Sequence, residues 1–389
     1  MRFDCAIVGA GLMGSAAARH LAEAGYSVVL IGPEEPDSLT THEGVFASHY
    51  DAARITRKLD PDPVWARLAT EAIARYPEIE QRGARRFFAA SGAMMAGPAT
   101  GERAAFIADS RAVAKLAGVE FEELEGRCLS EQFPFFAFPE GVRALYEGAG
   151  AGWINPRSHI RAELCAACAS GAAHLKSVVT RVVEHTGHVS LTCESGQTVE
   201  VAQMLVASGA YSAERDLLPE PPNLTVYART ISFLRVGEAE VTRLSAMPSL
   251  VYVPPDRACE PYVLPPVQYP DGEYYLKIGG DPVDVVLQGQ AEINDWFRSG
   301  GNPEVADFLT DQLLKLMPDL QMEAVSHGSC VTSFTPTGRP VIRRMTDRRS
   351  VLAGGNGAGA KCADELGRLG ALLIQGKELS SEGYGIAFE

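Results

Sequence analysis

Phe3-Asp-Cys-Ala-Ile-Val8, Gly9-Ala-Gly11-Leu-Met-Gly14 and Ser15-Ala-Ala-Ala-Arg-His-Leu-Ala-Glu-Ala-Gly25 follow one another without a break, and Ser27-Val-Val-Leu-Ile31 comes next. An apolar run, a glycine turn, a helix-length stretch closed by glycine and a second apolar run read as strand, turn, helix and strand, a βαβ unit. In such a turn the first glycine permits the bend. The second lets the backbone approach a pyrophosphate, and the third lets helix pack on strand. The helix N-terminus adds unpaired N–H groups and the positive end of a dipole. Gly9, Gly11 and Gly14 are therefore expected to hold a dinucleotide. An acid at the end of the second strand should grip a ribose hydroxyl. Here that strand ends in Gly32-Pro33, with Glu34 and Glu35 just beyond. Either Glu34 reaches back, or backbone groups of the Gly32 turn take its place.

The same rhythm returns further along. A helix near Ser158–Ser170 leads to a strand over 176–183, and Met204-Leu-Val-Ala-Ser-Gly209 ends another strand at a glycine. At the far end Ser350-Val-Leu-Ala-Gly354 is a strand, followed by Gly355-Asn-Gly-Ala-Gly-Ala-Lys361 and a helix through about Gln375. Residues 86–147 and 218–321 lack this rhythm and are richer in aromatic residues and proline, which suggests antiparallel strands. The expected fold class is α/β, a Rossmann-type cofactor domain assembled from residues 1–85, 148–217 and 322–389. An α+β substrate domain built on an antiparallel sheet (86–147 and 218–321) is inserted twice. With 389 residues, two domains are the natural expectation.

A net charge of −14 argues against nucleic-acid or anionic-membrane partners, both of which attract basic faces. It leaves room for an anionic substrate in a local cationic pocket. No apolar run is long enough to span a bilayer, and Met1-Arg2-Phe3-Asp4 enters the first strand directly, so a cytoplasmic protein is expected. The eight scattered cysteines fit a reduced compartment. Cys165 and Cys168 form the only C-x-x-C, and with no ligand partner following they read as small residues on a buried helix face. No metal site is expected.

Five short motifs carry a resemblance that spans nearly the whole chain. They are Gly9-x-Gly-x-x-Gly14, Ala47-Ser-His-Tyr-Asp-Ala-Ala-Arg-Ile-Thr-Arg57, Tyr275-Leu-Lys277-Ile-Gly, Cys330-Val-Thr-Ser-Phe-Thr-Pro and Gly357-Ala-Gly-Ala-Lys361. In this order they resemble the FAD-dependent D-amino-acid oxidase superfamily, in its monomeric sarcosine oxidase and N-methyltryptophan oxidase branch. The resemblance implies that Ser48, His49 and Arg54 lie along the flavin, with Val182 and Gly209 also in the FAD site. It implies that Arg57 holds the substrate carboxylate and Lys361 assists, since a guanidinium offers a planar fork and keeps its charge when buried. Gly357 and Gly359 would set a turn against the flavin pyrimidine edge. Cys330 would form a thioether to the flavin, and Lys277 would stand over the ring and activate oxygen. The chain departs from the branch at Thr332, where an aromatic is usual, and at Asp281, where a histidine is usual.

What the resemblance implies is oxidation of the C–N bond of a small N-alkylated amino acid, with molecular oxygen reduced to hydrogen peroxide. The flavin carries the hard chemistry and the protein positions the substrate. Competing readings are a flavin dehydrogenase passing electrons to a quinone or partner protein, a nicotinamide-dependent dehydrogenase, and a non-catalytic flavin-binding subunit. Read as isolated residues, Arg54 and Arg57 would sit on an exposed helix face and Lys277 on the solvent side of a sheet.

Overall fold

The computed structural model describes residues 1–213, 217–256 and 259–389. The strand Arg2–Val8 is apolar on both faces from Cys5 onward and is fully buried there, as a central parallel strand must be. Thr198–Val206 and Val28–Ile31 flank it, both parallel. Ala173–Leu175 adds a further parallel strand beyond Val28–Ile31, and Arg349–Ala353 pairs parallel with Thr198–Val206. Antiparallel strands complete this sheet, Val189–Cys193 with Val179–Glu184 beside the start of Thr198–Val206 and Val341–Arg344 beside Arg349–Ala353.

The helix Leu12–Glu23 follows the glycine turn and packs against Ala363–Ile374. A Cβ on Gly367 would stand 2.5 Å from Ala16 Cβ, so the two helices cross at a distance only glycine permits. Arg19 ties this layer together, reaching Glu163 at 2.6 Å and Asp364 at 2.5 Å, while Arg75 reaches Asp364 and Glu365 at 2.5 Å each.

A second sheet is largely antiparallel, and its long central strand Thr225–Val236 pairs with Tyr274–Gly279 on one edge and Ala324–Phe334 on the other. The strand 324–334, expected within the last cofactor segment, thus belongs to the second sheet. The helix Pro303–Leu316 covers one face, where Leu309 and Leu313 meet Leu234, Leu276 and Ile278. Alternation along a strand then turns Lys277 to the opposite face. A small third sheet of Arg54–Thr56, Gly152–Ile154 and Phe88–Ala89 lies between the main ones in the chain's path. Arg54 and Arg57 therefore belong to an extended segment and not to a helix.

Two expectations about the first layer need correction. Cys165 and Cys168 are both exposed, because the inner side of the helix Pro156–Ala169 is taken by Ala162, Glu163, Ala166 and Ala167. The strand expected over 176–183 spans Val179–Glu184 and starts an antiparallel hairpin, while the parallel ladder is extended by a separate strand before it, Ala173–Leu175. Among the described residues, no helix is long and apolar enough to cross a membrane, and no cluster of side chains suits a metal ion.

Candidate active site

A cavity of about 1290 Å³ opens between the two main sheets, lined by residues of both. That exceeds the roughly 300–1,000 Å³ of a single small-ligand site and leaves room for a cofactor together with a substrate. At one end stands the glycine turn. Gly9 has φ +113°, and a Cβ there would meet the Ala207 carbonyl at 2.4 Å. A Cβ on Gly14 would lie 1.9 Å from the Gly9 carbonyl. Gly11, at the helix N-cap, has only His49 Nδ1, at 3.9 Å, within 4 Å of a Cβ position, and no side chain caps the helix. The first-turn N–H groups are thus left for an anionic ligand.

Ile31, Gly32 and Pro33 line the cavity where a ribose would rest, but Glu34 does not. Glu34 is exposed and bonds Lys176 at 2.6 Å, a contact that lowers its carboxyl pKa; Glu35 is held by Arg157. Of the two alternatives left open by the sequence, Glu34 does not reach the cavity, while the Gly32 turn lines it with its N–H donating to the Leu175 carbonyl at 3.1 Å. Val182 also lies off the cavity, because the hairpin carries it outward against the first sheet's core. Ser177, Val178 and Val179 line the wall in its place, and Gly209 lines it as expected.

The middle of the cavity collects Ser48, His49, Arg54 and Cys330. Ser48 Oγ donates to the Val331 carbonyl at 3.1 Å. Arg54 Nη2 donates to the Ser48 carbonyl at 2.7 Å and to Cys330 Sγ at 3.3 Å. Burial first, and then Arg157 and Arg54, push His49 down to about 3, so its imidazole is neutral at physiological pH.

Also on the cavity wall, Arg57 and Lys361 share one acid. Lys361 Nζ bonds Asp60 Oδ2 at 2.7 Å, while Arg57 Nη2 stands 3.7 Å from the same oxygen. Arg57 Nε is buried with no hydrogen-bond partner. Two cations against one carboxylate leave a net positive charge on the cavity wall. The turn bearing Gly357 and Gly359 also lines the cavity, and a Cβ on Gly359 would meet Met13 Cε at 2.8 Å. That contact brings the C-terminal turn against the N-terminal helix. The helix beyond it begins at Ala363, so Lys361 precedes the helix.

Lys277 is 1% exposed and lies behind the cavity wall, its Nζ donating to Asp51 Oδ2 at 2.5 Å and to the Ala53 carbonyl at 2.6 Å. Burial and then Arg54 lower it to about 8, against the pull of Asp51. Asp51 and Asp60 went unremarked as site residues in the sequence. Each sits three positions before an arginine or after one, spacing that a helical reading explains away as surface pairing. Asp281 stands in the wall with Oδ2 accepting from the Thr230 N–H at 2.9 Å, and burial raises its carboxyl.

A glycine turn at a helix N-terminus, joined by one continuous cavity to a cluster of half-buried and buried cations, defines a dinucleotide-binding protein with a reaction chamber beside the cofactor site. The chain belongs to the FAD dependent oxidoreductase family, which matches residues 4–373. It is 23% identical over 382 residues to N-methyl-L-tryptophan oxidase of Yersinia pestis (strain Pestoides F), covering 97% of this chain and 96% of that one. Among solved structures it is similar to a Tyr258Phe mutant of NikD, an unusual amino acid oxidase essential for nikkomycin biosynthesis. The TM-score is 0.78 at 20% identity, over 97% of this chain and 96% of that one. It is also similar to L-proline dehydrogenase from P. horikoshii, with a TM-score of 0.74 at 16% identity, over 97% and 94%. The two structural likenesses are likenesses of fold.

FAD fits the chain's own residues. Gly11 leaves a cradle at the helix N-terminus that a side chain would fill, and the cavity runs from there to Cys330 and Arg54. The protein is an FAD-dependent oxidoreductase.

Proposed function

We propose that the protein oxidises the C–N bond of a small N-alkylated amino acid and passes the electrons to oxygen. The observation that carries this reading is the buried, unpartnered Nε of Arg57 beside Lys361, with Asp60 the one carboxylate between them. A buried guanidinium N–H without an acceptor is costly unless a ligand completes it. A substrate carboxylate supplies the missing acceptor in a bidentate geometry. Bound FAD supplies the two-electron acceptor for the carbon next to nitrogen.

The chain's own residues orient and exclude. Arg57 and Lys361 fix one end of the substrate, so the amine end is directed along the cavity towards Arg54 and Cys330. The buried tyrosine Tyr262 and the edge of the second sheet exclude water from that region. The neutral imidazole of His49 adds no charge to compete with the substrate amine. Cys330, in the cavity wall, is the residue we assign to a covalent thioether with the flavin. Lys277 is assigned to the reaction with oxygen, acting through its charge from behind the wall.

A second reading, a dehydrogenase on the same fold, is favoured by one observation, that Lys277 is paired with Asp51 and does not face the cavity. A screen of sarcosine, N-methylated amino acids, cyclic imino acids and D-amino acids, read by anaerobic bleaching of FAD and by peroxide release, separates the two. Bleaching with peroxide supports the oxidase; bleaching with slow peroxide release supports the dehydrogenase; no bleaching by any of them overturns both.

A further inference from the structure

Lys277 projects from the strand Tyr274–Gly279 into the space between the sheets, and two of its contacts are fixed by Asp51 Oδ2 and the Ala53 carbonyl. An ammonium has three protons, so one remains for a group beyond these two. Asp51 is itself held firmly. It accepts from the Ala52 N–H at 2.8 Å and the Tyr269 hydroxyl at 2.9 Å, and pairs with Arg54 Nη1 at 3.1 Å. Arg54 lines the cavity beside Cys330. One acid therefore serves two cations, of which Arg54 forms the wall and Lys277 backs it.

The charged and titratable groups around Lys277 come from several elements. Asp51 and Arg54 approach from the chain before the strand Arg54–Thr56 and from its first residue. Tyr262, with Lys277 Nζ 5.8 Å from its ring centre, and Tyr269 come from the strand Tyr262–Gln268 and its end. Cys330 comes from the strand Ala324–Phe334. Arg157 acts on Asp51 from the helix Pro156–Ala169, and Asp281 acts on Tyr262. Among these, Asp51 is the one group bonded to Lys277 that carries a compensating charge.

We propose that Asp51 is a positioning residue that keeps Lys277 an ammonium behind the cavity wall, so that reaction of the reduced cofactor with oxygen depends on Asp51 through Lys277. The proposal rests on the oxidase reading above. Oxygen takes two electrons from the reduced cofactor and two protons, giving hydrogen peroxide, and the first electron places a new negative charge in a dry site. A nearby cation favours that charge, more strongly the closer it stands and the drier the site. Burial and Arg54 both drive Lys277 towards its neutral form, and Asp51 opposes them. Deeply buried lysines without a partner can fall by about 3–5 pKa units. Without Asp51 the amine would be uncharged near neutral pH.

The test uses the FAD-loaded protein reduced with dithionite without air, so no amine substrate is needed. Reoxidation by oxygen is followed by stopped flow from pH 6 to 10, and the midpoint potential of bound FAD is measured alongside. In the unmutated protein the rate should fall as pH rises through about 8, where Lys277 loses its proton. Asp51→Asn should be slower by about fivefold or more at pH 8, with a lower potential and a profile moved at least about one unit towards acid. Its rate should recover at pH 6. Lys277→Met should be slow at every pH, with no recovery. Asp51→Glu keeps the charge and should keep the unmutated profile, which tests the idea even if Asp51→Asn loses its FAD.

A slow Lys277→Met beside an Asp51→Asn protein with the unmutated rate and profile overturns the proposal alone. So does an Asp51→Asn protein that is slow without acid recovery, or an Asp51→Glu protein that loses the profile. A Lys277→Met protein that reoxidises normally removes the oxygen role of Lys277 itself.

Discussion

Cys330 and His49 show how local contacts decide what a side chain can do. Cys330 Sγ lies in the cavity wall with Arg54 Nη2 donating to it at 3.3 Å. If it carries the flavin, acid precipitation leaves the yellow colour in the pellet, and Cys330→Ser releases it to the supernatant. Colour wholly in the supernatant of the unmutated protein contradicts the assignment. His49 is neutral because burial and two nearby arginines push it down to about 3. Its folded pKa is below the unfolded value of about 6.5, so the unfolded state gains the proton first. The stability it permits is complete above about pH 6.5 and is lost as pH falls from there towards 3. Urea midpoints should therefore drop between pH 7 and 5, and His49→Gln should flatten that drop. An unchanged slope in His49→Gln would show that other groups set it.

At the scale of elements, the glycine turn was readable because its chemistry is local. Three glycines between an apolar run and a helix leave few alternatives, and the atoms a Cβ would strike at Gly9 and Gly14 say why. Gly14→Ala should lose FAD and destabilise by about 1–3 kcal/mol, the usual cost of forced overpacking. Gly25→Ala should keep FAD, since nothing lies within 4 Å of its Cβ position and only its φ of +87° is strained, at a cost of about 1 kcal/mol. Equal FAD content in the two variants, read from absorbance, would contradict this. The second sheet was legible only as a kind of region. Whether an apolar run pairs parallel or antiparallel depends on distant partners, so the separate strand Ala173–Leu175 was missed and Val182 was placed on the cavity. The same dependence hid the pairing of 324–334 with 225–236. Arg54 and Arg57 were legible as a pair through the motif, while their acids Asp51 and Asp60 were not. Their roles follow from burial between sheets, which no spacing reports.

Over the whole molecule, a chain of net charge −14 gathers Arg54, Arg57 and Lys361 around one cavity. Far from it, Asp364 accepts from Arg19, Arg75 and His20 and binds three helices into the first layer. Although burial alone would raise the Asp364 carboxyl, His20, Arg75 and Arg19 hold it well below the usual carboxylate range. That stabilisation is present above the unfolded pKa and is lost as pH falls towards the folded one. Asp364→Asn removes one charged acceptor from Arg19 and Arg75, which keep Glu163 and Glu365, and should destabilise by about 1.5–3 kcal/mol, seen as a lower melting temperature. The central claim is that this cavity binds an amino acid by its carboxylate and oxidises it at the neighbouring C–N bond. It is tested most directly by anaerobic FAD bleaching with an N-methyl amino acid and with a matched amine lacking the carboxylate, in the unmutated protein and in Arg57→Ala. A hydrogen bond to a charged group contributes roughly 1.5–3 kcal/mol, so Arg57→Ala should raise the half-saturating amino acid concentration by about one to two orders of magnitude. The response to the carboxylate-free amine should barely move. Equal losses for both amines, or an amino acid response untouched by the substitution, would contradict the account.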